Sequence, residues 1–548
     1  MNNLEIPLKK RTAWYRFFEM LPALLSYGAL VLAVVLAVLS PLLAAIYLLL
    51  IAATVLVRAV SVAAHTLIGS RKVDKAQKVD WNRYLKDLER AYDGQDVTIS
   101  RSQYFSQQHR ENVDAIRESP SKYLRPSELY NAVIVATYNE PYEVLRDTLD
   151  VVKNGTYDNS HLIIVLAYEE RGGAAIEATA KRLQADFRND FFGFEIVKHP
   201  KDQPNEVIGK GGNITHGGKF LKSWLDKKGI NYSNVIITTL DSDNRPHQTY
   251  FDYLTYEYIV HENRKFLSFQ PVSLFLNNIW DVPAPMRVVA TGNSFWNIIS
   301  AMRPHTLRNF ASHSQPMDAL VEMNFWSTRT IVEDGHQYWR SYFHFKGNYD
   351  VVPIFVPIYQ DAVLSETYRK TLKAQFVQLR RWAYGASDIP YVAVRLFSKD
   401  RSVPFFGGFS RLIRLIDSHV TLACIPFLVT FGGWIPILIN SEAVRSVEAN
   451  QLPEVLGVIQ RFAMLGLVIT IFMTFKMLPP RPARYKRHRT VGMLLQWLLM
   501  PVTALVYSSA SAYYSQTRLL IGNYMTKFDV TEKATLLSLK NKAKKKQK

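Results

Sequence analysis

Apolar residues along this chain are concentrated in long runs near its two ends, with a mixed apolar and polar segment between them. Residues 20–39 and 41–57 form two such runs, and residues 420–439 and 455–477 form two more. Each run holds about 17–20 residues or more, which is enough for a helix to cross a bilayer. The pattern predicts membrane-spanning helices on both sides of a middle domain.

Basic residues flank the first pair of runs, and such residues favour the cytoplasmic side of a membrane. They precede the first run and follow the second: Lys9, Lys10, Arg11, Arg16 and Arg58. The pair is therefore predicted to be a hairpin with both ends in the cytoplasm. A cleaved signal peptide would show one short apolar run rather than two long ones.

The C-terminal runs are followed by loops of opposite charge. The loop at 440–454 carries glutamates, Glu442 among them, and the loop at 478–490 is basic, so the second loop is predicted to be cytoplasmic. A further apolar stretch, 491–520, is interrupted by Pro501 and diluted by serines. It either crosses once, which would place the lysine-rich end of the chain outside, or forms a broken or re-entrant helical pair.

The net charge of +19, from 66 Lys and Arg against 47 Asp and Glu, raises the question of nucleic-acid binding. Much of the excess lies at the N-terminus, in the basic loop and at the C-terminus, where anionic lipid accounts for it, so no nucleic-acid partner is predicted. The single cysteine, Cys424, lies in a predicted span and excludes an intramolecular disulfide or a cysteine metal cluster. The predicted spans are nearly free of charge, which argues against a transporter.

Short apolar runs alternate with helical patterns in the middle of the chain. Four runs indicate buried strands: 132–137, 162–167, 194–197 and 235–240. Three helices are predicted between them: 142–153, 174–188 and 214–225. Continuously apolar strands that alternate with helices are typical of a doubly wound, mainly parallel sheet covered on both faces. The predicted fold class of this part is α/β.

The chain is predicted to divide into five parts. They are an N-terminal transmembrane hairpin (1–65), a cytosolic α/β domain (66–400), an interfacial amphipathic helix (401–418), a C-terminal transmembrane region (419–521) and a basic cytosolic tail (522–548). The third part is suggested by Arg411 and Arg414 among aromatic and aliphatic residues. A plain juxtamembrane linker is an equal alternative for it.

Polar side chains follow three of the predicted strands, at the edge where parallel sheets bind ligands. They stand in Tyr138-Asn139-Glu140, Glu169-Glu170 and Asp241-Ser242-Asp243. A glycine-rich turn, Gly209-Lys210-Gly211-Gly212-Asn213, leads into a helix before the last of these. Lys210 could contact a phosphate there, although an ordinary loop lysine is the commoner case.

Two acidic pairs suggest chemistry. Asp241 and Asp243 could hold a divalent cation together with a substrate diphosphate, although such a pair is more often a solvated turn. Glu333 and Asp334 follow a predicted apolar strand at 330–332, where a carboxylate could act as general base for a hydroxyl. Helix capping by Asp334 is the ordinary alternative.

A predicted helix at 373–385 carries Gln378, Arg381 and Trp382 on one face. A guanidinium and an indole on one face suit an anionic ligand that contains a ring. His247 and His336 are considered as ligands too, but lone histidines beside acidic groups are more often hydrogen-bonded structural residues.

The order of these motifs resembles that of the membrane-integrated glycosyltransferases of family 2, which include cellulose and hyaluronan synthases. The resemblance covers about residues 130–390 in motifs and the flanking helices in layout. It implies a glycosyltransferase-A domain inserted between transmembrane helices, on the cytoplasmic side of the plasma membrane. It also implies a nucleotide-sugar donor, commonly a UDP-hexose or UDP-N-acetylhexosamine.

The resemblance also implies roles for individual residues. By this resemblance Asp241 and Asp243 bind Mg²⁺ or Mn²⁺, and Asp334, beside Glu333, is the catalytic base. The clamp on the leaving diphosphate and the wall near the acceptor fall to Gln378, Arg380, Arg381 and Trp382. Contacts with the nucleotide fall to Tyr138, Glu140, Glu169, Glu170, Lys210 and Asn213.

The implied reaction is a single displacement that inverts the anomeric centre and extends a β-glycan, with secretion through the protein's own helices as a further expectation. A non-processive transfer to a membrane lipid is the alternative within the class, and a non-catalytic membrane scaffold is the alternative outside it. The segment Phe310-Ala311-Ser312-His313 lacks the Cys and Gly that the synthases carry before Glu-Asp, so the acceptor side is divergent. The sequence leaves the oligomeric state open.

Overall fold

The computed structural model describes residues 4–8, 11–100, 102–441 and 445–528. Lys9, Lys10, Glu442 and the lysine-rich end at 529–548, on which part of the charge analysis rests, lie outside the described residues.

Two long helices, α1 (Ala13–Leu39) and α2 (Pro41–Ala76), form the N-terminal pair. Ser40 ends the first helix and caps the second, and Pro41 takes the first helical position, where its missing N–H costs no hydrogen bond. The predicted pair of helices is confirmed, but α2 is longer than the apolar run and continues to Ala76. Its polar C-terminal half therefore leads directly into the α/β part.

The central domain contains one eight-stranded sheet with the order β3-β2-β1-β4-β7-β6-β8-β5. The strands are β1 (Tyr130–Thr137), β2 (Leu162–Glu169), β3 (Gly193–His199), β4 (Val235–Asp241), β5 (Arg245–Pro246), β6 (Leu267–Leu274), β7 (Ser314–Pro316) and β8 (Asp350–Tyr359). The first four strands pair in parallel, as predicted. The other half is mixed, because β7 runs antiparallel to both β4 and β6 while β6 and β8 are parallel.

Helices cover both faces of this sheet, and the three predicted between its first strands are confirmed. Their bounds, with those of the other helices of the domain, are α3 (Trp81–Tyr92), α4 (Ser106–Glu118), α5 (Tyr142–Lys153), α6 (Gly173–Phe187), α7 (Lys210–Lys228), α8 (Tyr250–Val260), α9 (Ala284–Ala301), α10 (Met317–Glu322), α11 (Glu333–His344), α12 (Tyr368–Ala383) and α13 (Asp388–Leu396). Val133 and Leu166 belong to the apolar cluster on one face of the sheet, and Ile134 and Val165 to the cluster on the other. Burial on both faces explains why these strands are apolar throughout.

The C-terminal helices are α14 (Phe405–Phe431), α15 (Ile435–Ile439), α16 (Val447–Met477), α17 (His488–Leu495), α18 (Met500–Thr503) and α19 (Ala510–Ile521). Five helical stretches of the described chain are long and apolar enough to cross a membrane: Ala13–Leu39, Pro41–Ala76, Phe405–Ile439, Val447–Met477 and His488–Ile521. The segment predicted as an interfacial helix and the span that follows it are one continuous helix, α14.

Both ends of the last stretch, His488–Ile521, contact the α/β domain. At its start Arg489 donates to the Trp280 carbonyl, 3.0 Å away. Just beyond its end the Phe528 N–H donates to the Ile208 carbonyl, 2.7 Å away. A helix that crossed the membrane once would carry its ends to opposite sides, so this geometry favours the re-entrant arrangement.

Candidate active site

A cavity of about 910 Å³ opens at the carboxyl ends of β1, β2 and β4 and extends to the C-terminal helices. Most of the predicted site residues line it: Tyr138, Glu140, Glu169, Lys210, Asn213, Asp241, Glu333, Asp334, Gln378, Arg381 and Trp382. Three predicted residues do not: Glu170, Asp243 and Arg380. Segments that are distant in sequence are thus brought together around one space.

Lys210 joins the two acidic motifs of the site. Its Nζ atom lies 2.9 Å from Oδ1 of Asp241 and 3.3 Å from Oδ2 of Asp334, and its side chain is almost completely buried. Burial lowers the pKa of Lys210, but Asp241, Asp334 and Glu333 outweigh it and raise that pKa above its usual value. The lysine therefore remains a cation between the carboxylates.

The glycines beside Lys210 are required by close packing. The predicted turn is the first turn of α7, which Gly209 precedes. A Cβ atom on Gly211 would lie 2.4 Å from the Ser327 carbonyl oxygen, and one on Gly212 would overlap the Glu206 carboxylate. The absence of both side chains lets α7 approach its neighbours closely and fixes Lys210 at the wall of the cavity.

Glu333 and Asp334 begin α11. Residues 330–332 form no strand, contrary to the prediction, and the residue that caps this helix is Val332, which makes no side-chain capping bond. Burial raises the pKa of Glu333 to about 8, helped by the charge of Asp334 and opposed by Lys210 and Arg381. A pKa of about 8 favours the neutral form of Glu333 at pH 7, while Asp334 contacts Lys210 at the cavity wall.

Asp241 and Asp243 differ in environment. Asp241 faces the cavity, whereas Asp243 is buried and its Oδ2 accepts a hydrogen bond from the Asp361 N–H, 3.1 Å away. No group of three or more His, Cys, Asp or Glu side chains suited to a metal ion occurs in the described part of the chain. Because Mg²⁺ needs only one or two protein carboxylates when substrate phosphates supply other ligands, Asp241 still fits the predicted cation.

The predicted nucleotide-contacting glutamates are held by neighbouring groups. Glu140 accepts hydrogen bonds from the Tyr138 and Asn139 N–H groups and the Thr137 hydroxyl, so its carboxylate closes the turn after β1. Glu170 accepts from the Lys201 N–H, 3.0 Å away. Asn213 donates to the Thr137 and Ala167 carbonyls and thereby ties α7 to the ends of β1 and β2.

Glu169 belongs to a buried network that the sequence did not indicate. Its Oε2 lies 2.6 Å from the Arg171 guanidinium and 3.2 Å from Nδ1 of His199, while Nε2 of His199 lies 3.1 Å from Glu206. Burial lowers the pKa of His199, but the two glutamates outweigh it and raise that pKa to about 9. A protonated His199 therefore fixes the orientation of Glu169 at the cavity wall.

The predicted clamp residues share one face of α12, as expected from their spacing. Gln378, Arg381 and Trp382 line the cavity. Arg380 points elsewhere, and its guanidinium lies 3.3 Å from the Tyr514 hydroxyl. The Arg381 guanidinium carbon lies 3.7 Å from the centre of the Phe528 ring.

Phe528 lies in a short C-terminal segment that the sequence assigned to a polar tail. Lys527 pairs with Ile208 in a parallel bridge directly before Gly209 and Lys210, and Lys527 and Phe528 both line the cavity. No motif in the sequence marked this segment. Its proximity to the site follows from the return of the last helical stretch to the α/β domain.

The divergent acceptor segment lies next to the predicted base. Nδ1 of His313 donates to the Phe310 carbonyl and is 3.6 Å from Oδ1 of Asp334, and Nε2 of His313 accepts from the Trp326 indole. Burial lowers the pKa of His313. The imidazole is therefore neutral, and its hydrogen bonds go to Phe310 and Trp326 rather than to Asp334.

The other two candidate histidines have hydrogen-bonded positions away from the cavity wall. Nδ1 of His336 lies 2.7 Å from Asp388, and Nδ1 of His247 lies 3.0 Å from the Thr249 hydroxyl. Neither histidine lines the cavity. Both positions fit the structural role considered for them.

No protein-family model and no curated protein matches the chain. Among solved structures it is similar to the mannosyltransferase PcManGT from Pyrobaculum calidifontis in complex with GDP-Man and Mn²⁺, with 13% identity and a TM-score of 0.41 over 84% of this chain and 100% of that one. It is also similar to S. aureus TarS 1–349 in complex with UDP-GlcNAc, with 10% identity and a TM-score of 0.33 over 74% of this chain and 95% of that one. Likenesses at this level of identity and TM-score say nothing about the donor or acceptor of this chain.

Proposed function

We propose that this protein is a membrane-embedded, inverting glycosyltransferase that moves a sugar from a nucleotide-sugar to a hydroxyl acceptor. The observation that carries the proposal is the position of Lys210 between Asp241 and Asp334 in one large cavity. Such a cavity has the size and the few converging polar groups expected of a small-molecule site. The catalytic domain is proposed to have the glycosyltransferase-A fold and to lie on the cytoplasmic side of the plasma membrane.

Binding of the donor is assigned to the wall formed by the ends of β1, β2 and β4. The nucleotide would lie along Tyr138 and Glu169, and its diphosphate would lie near Lys210 and Asp241, which line the same space. Arg381 supplies a guanidinium, the side chain best suited to hold phosphate oxygens in a fixed orientation. A Mg²⁺ or Mn²⁺ ion held by Asp241 and the donor phosphates would neutralise charge on the departing diphosphate.

Proton transfer is assigned to Asp334. Its carboxylate faces the cavity beside the Lys210 ammonium, and His313 lies 3.6 Å away. The acceptor hydroxyl gives its proton to Asp334 as its oxygen forms a bond with the anomeric carbon and the bond to the diphosphate breaks. The protonated Glu333 carries no competing charge, and its Oε2 has no hydrogen-bond partner among the residues that the structure describes.

Two acceptors are considered. The motifs favour a growing β-glycan, and the alternative is a membrane lipid. The two readings differ in what occupies the part of the cavity that reaches the membrane helices. Trp296 is 49% exposed and lines this part, and Trp382 is 39% exposed at its border. Exposed indoles suit either sugar rings or a lipid head group, so other side chains must decide between them.

The proposal is tested with purified protein in lipid nanodiscs, magnesium and a panel of labelled UDP- and GDP-sugars. We expect one donor to release nucleoside diphosphate and to give a product with the anomeric configuration opposite to that of the donor. A retained configuration would exclude the single displacement at Asp334. No release from any donor would favour the non-catalytic scaffold.

A further inference from the structure

A cation that the proposed sugar transfer does not require lies at the cavity wall. Arg308 lines the cavity two residues before Phe310, beyond the donor side. Its guanidinium forms no hydrogen bond or ion pair with any residue that the structure describes. The contact that it does make is with Trp339, whose ring centre lies 5.7 Å from the guanidinium carbon.

The carboxylate of Asp388, which raises the pKa of Arg308, is already hydrogen-bonded to His336. Asp388 lines the same cavity, and its Oδ1 lies 2.7 Å from Nδ1 of His336. Burial lowers the pKa of Arg308, while Asp388 and Tyr338 oppose this effect. Arg308 is half-buried at the wall of the cavity, so a ligand that carries an anion can pair with its guanidinium there.

A short connected path links Arg308 to the predicted base. His313 lies 3.6 Å from Asp334 and donates to the carbonyl of Phe310, two residues after Arg308. Arg308 and Asp334 both line the cavity, so a ligand that fills it can contact the guanidinium of one and the carboxylate of the other.

The same cavity also touches helices with membrane-spanning character. Ser418, His419 and Leu422 of α14 line it, and so do Ser508 and Ser511 of the last helical stretch, His488–Ile521. These residues lie in stretches that are long and apolar enough to cross a bilayer. A head group in the cavity could thus remain attached to acyl chains that stay among the apolar helices.

We propose that the acceptor is a phospholipid whose head group carries a free hydroxyl, and that Arg308 binds its phosphate. This inference rests on the proposed sugar transfer. The head-group oxygen forms the bond to the anomeric carbon, its proton passes to Asp334, and the bonding electrons of the broken carbon–oxygen bond leave with the nucleoside diphosphate. The product is a glycosylated phospholipid that still carries its phosphate.

Phosphate fits Arg308 better than a neutral glycan does. The planar guanidinium donates two parallel hydrogen bonds to phosphate oxygens, and both are strengthened by charge. A chain of uncharged sugars would leave the guanidinium unpaired in the occupied cavity. A glycan that carries carboxylates is the competing ligand, and the test below separates it from a lipid.

The test compares three full-length variants with the wild type in phosphatidylcholine nanodiscs that contain phosphatidylglycerol, diacylglycerol or neither. The variants are Arg308→Gln, Arg308→Lys and Arg414→Gln. Arg414 is a matched control because it is exposed and its guanidinium lies 3.5 Å from the His305 carbonyl, on the segment that leads to Arg308. Labelled glycolipid and slow hydrolysis of the donor by water are measured in the same samples.

We expect labelled phosphatidylglycerol from the wild type and from Arg414→Gln. Arg308→Gln should lower this transfer about tenfold or more, because a charge-assisted contact is lost, and should leave donor hydrolysis unchanged. Arg308→Lys should retain part of the transfer. Transfer to diacylglycerol, if present, should not depend on Arg308.

Three results would overturn the inference while leaving the proposed function intact. One is label in a soluble glycan, including one that contains uronic acid, without dependence on lipid. Another is equal loss of donor hydrolysis and lipid transfer in Arg308→Gln, and the third is equal transfer with and without phosphatidylglycerol. Absence of nucleoside diphosphate release in every sample would instead contradict the proposed function itself.

Discussion

The ammonium of Lys210 lies 2.9 Å from Oδ1 of Asp241, and this contact joins the start of α7 to the end of β4. Asp334, at the start of α11, lies on the other side of the same ammonium. One buried cation therefore holds together the group assigned to the diphosphate and the group assigned to proton transfer. A substrate that contacts either carboxylate is therefore also close to Lys210.

Replacing Lys210 by Met should abolish measurable sugar transfer and lower stability by about 1–3 kcal/mol, because two partly buried carboxylates would lose their shared partner. Thermal unfolding and donor turnover measure the two effects. Lys222→Met is the matched control on the same helix, since Lys222 forms an exposed pair with Asp226. That variant should unfold at nearly the same temperature as the wild type, because exposed ion pairs contribute little, and an equal effect of both substitutions would argue against the bridge.

Replacing Glu333 by Gln should leave much of the activity at neutral pH. The pKa of Glu333 is raised to about 8, so the wild-type side chain is already uncharged, and Gln has a similar shape. Initial rates of donor turnover for this variant and the wild type provide the measurement. A loss as large as that of an Asp334 variant would move the base from Asp334 to Glu333.

The pH dependence of stability should show the raised pKa of Glu333. The folded protein binds the Glu333 proton more tightly than the unfolded chain does. The stabilisation of the folded state by this proton is therefore complete below about pH 4.5 and is lost as pH rises through about 8. The thermal midpoint of Glu333→Gln relative to the wild type should therefore rise over this interval. A difference that does not vary with pH would mean that Glu333 is ionised throughout.

Replacing Phe528 by Ala should weaken the proposed diphosphate clamp. The ring holds the Arg381 guanidinium by a cation–π contact of 3.7 Å, an interaction with a typical strength of about 0.5–2 kcal/mol. Donor turnover should fall about two- to tenfold if this energy orients Arg381. Phe220→Ala, at an exposed position on α7, controls for loss of a ring, and identical rates for both variants would remove Phe528 from the site.

The sequence predicted the first half of the sheet because its strands are buried on both faces and are therefore apolar throughout. It did not predict β7, a strand of three residues whose pairing with β4 depends on contacts distant in sequence. The pattern of polar residues at strand ends identified four residues of the cavity wall: Tyr138, Glu140, Glu169 and Asp241. The spacing of Asp241 and Asp243 does not reveal that Asp243 is buried and accepts a hydrogen bond from the Asp361 N–H.

The contributions of Arg308, His199 and Phe528 could not be predicted for a different reason. Each comes from a segment without a motif, and each reaches the site through packing between distant parts of the chain. The pairing of Lys527 with Ile208 brings the end of the described chain back to the α/β domain. Hydropathy alone left that course open.

The most direct test of the central claim measures donor binding and sugar transfer in Asp334→Asn and wild-type protein prepared in parallel. Isothermal titration gives the affinity for the nucleotide-sugar, and release of labelled product gives the transfer rate. The account predicts a similar affinity in both proteins and a rate in the variant lower by about 10²–10⁴-fold, the usual contribution of a positioned general base. A variant with wild-type transfer would show that Asp334 is not the base and would contradict the mechanism.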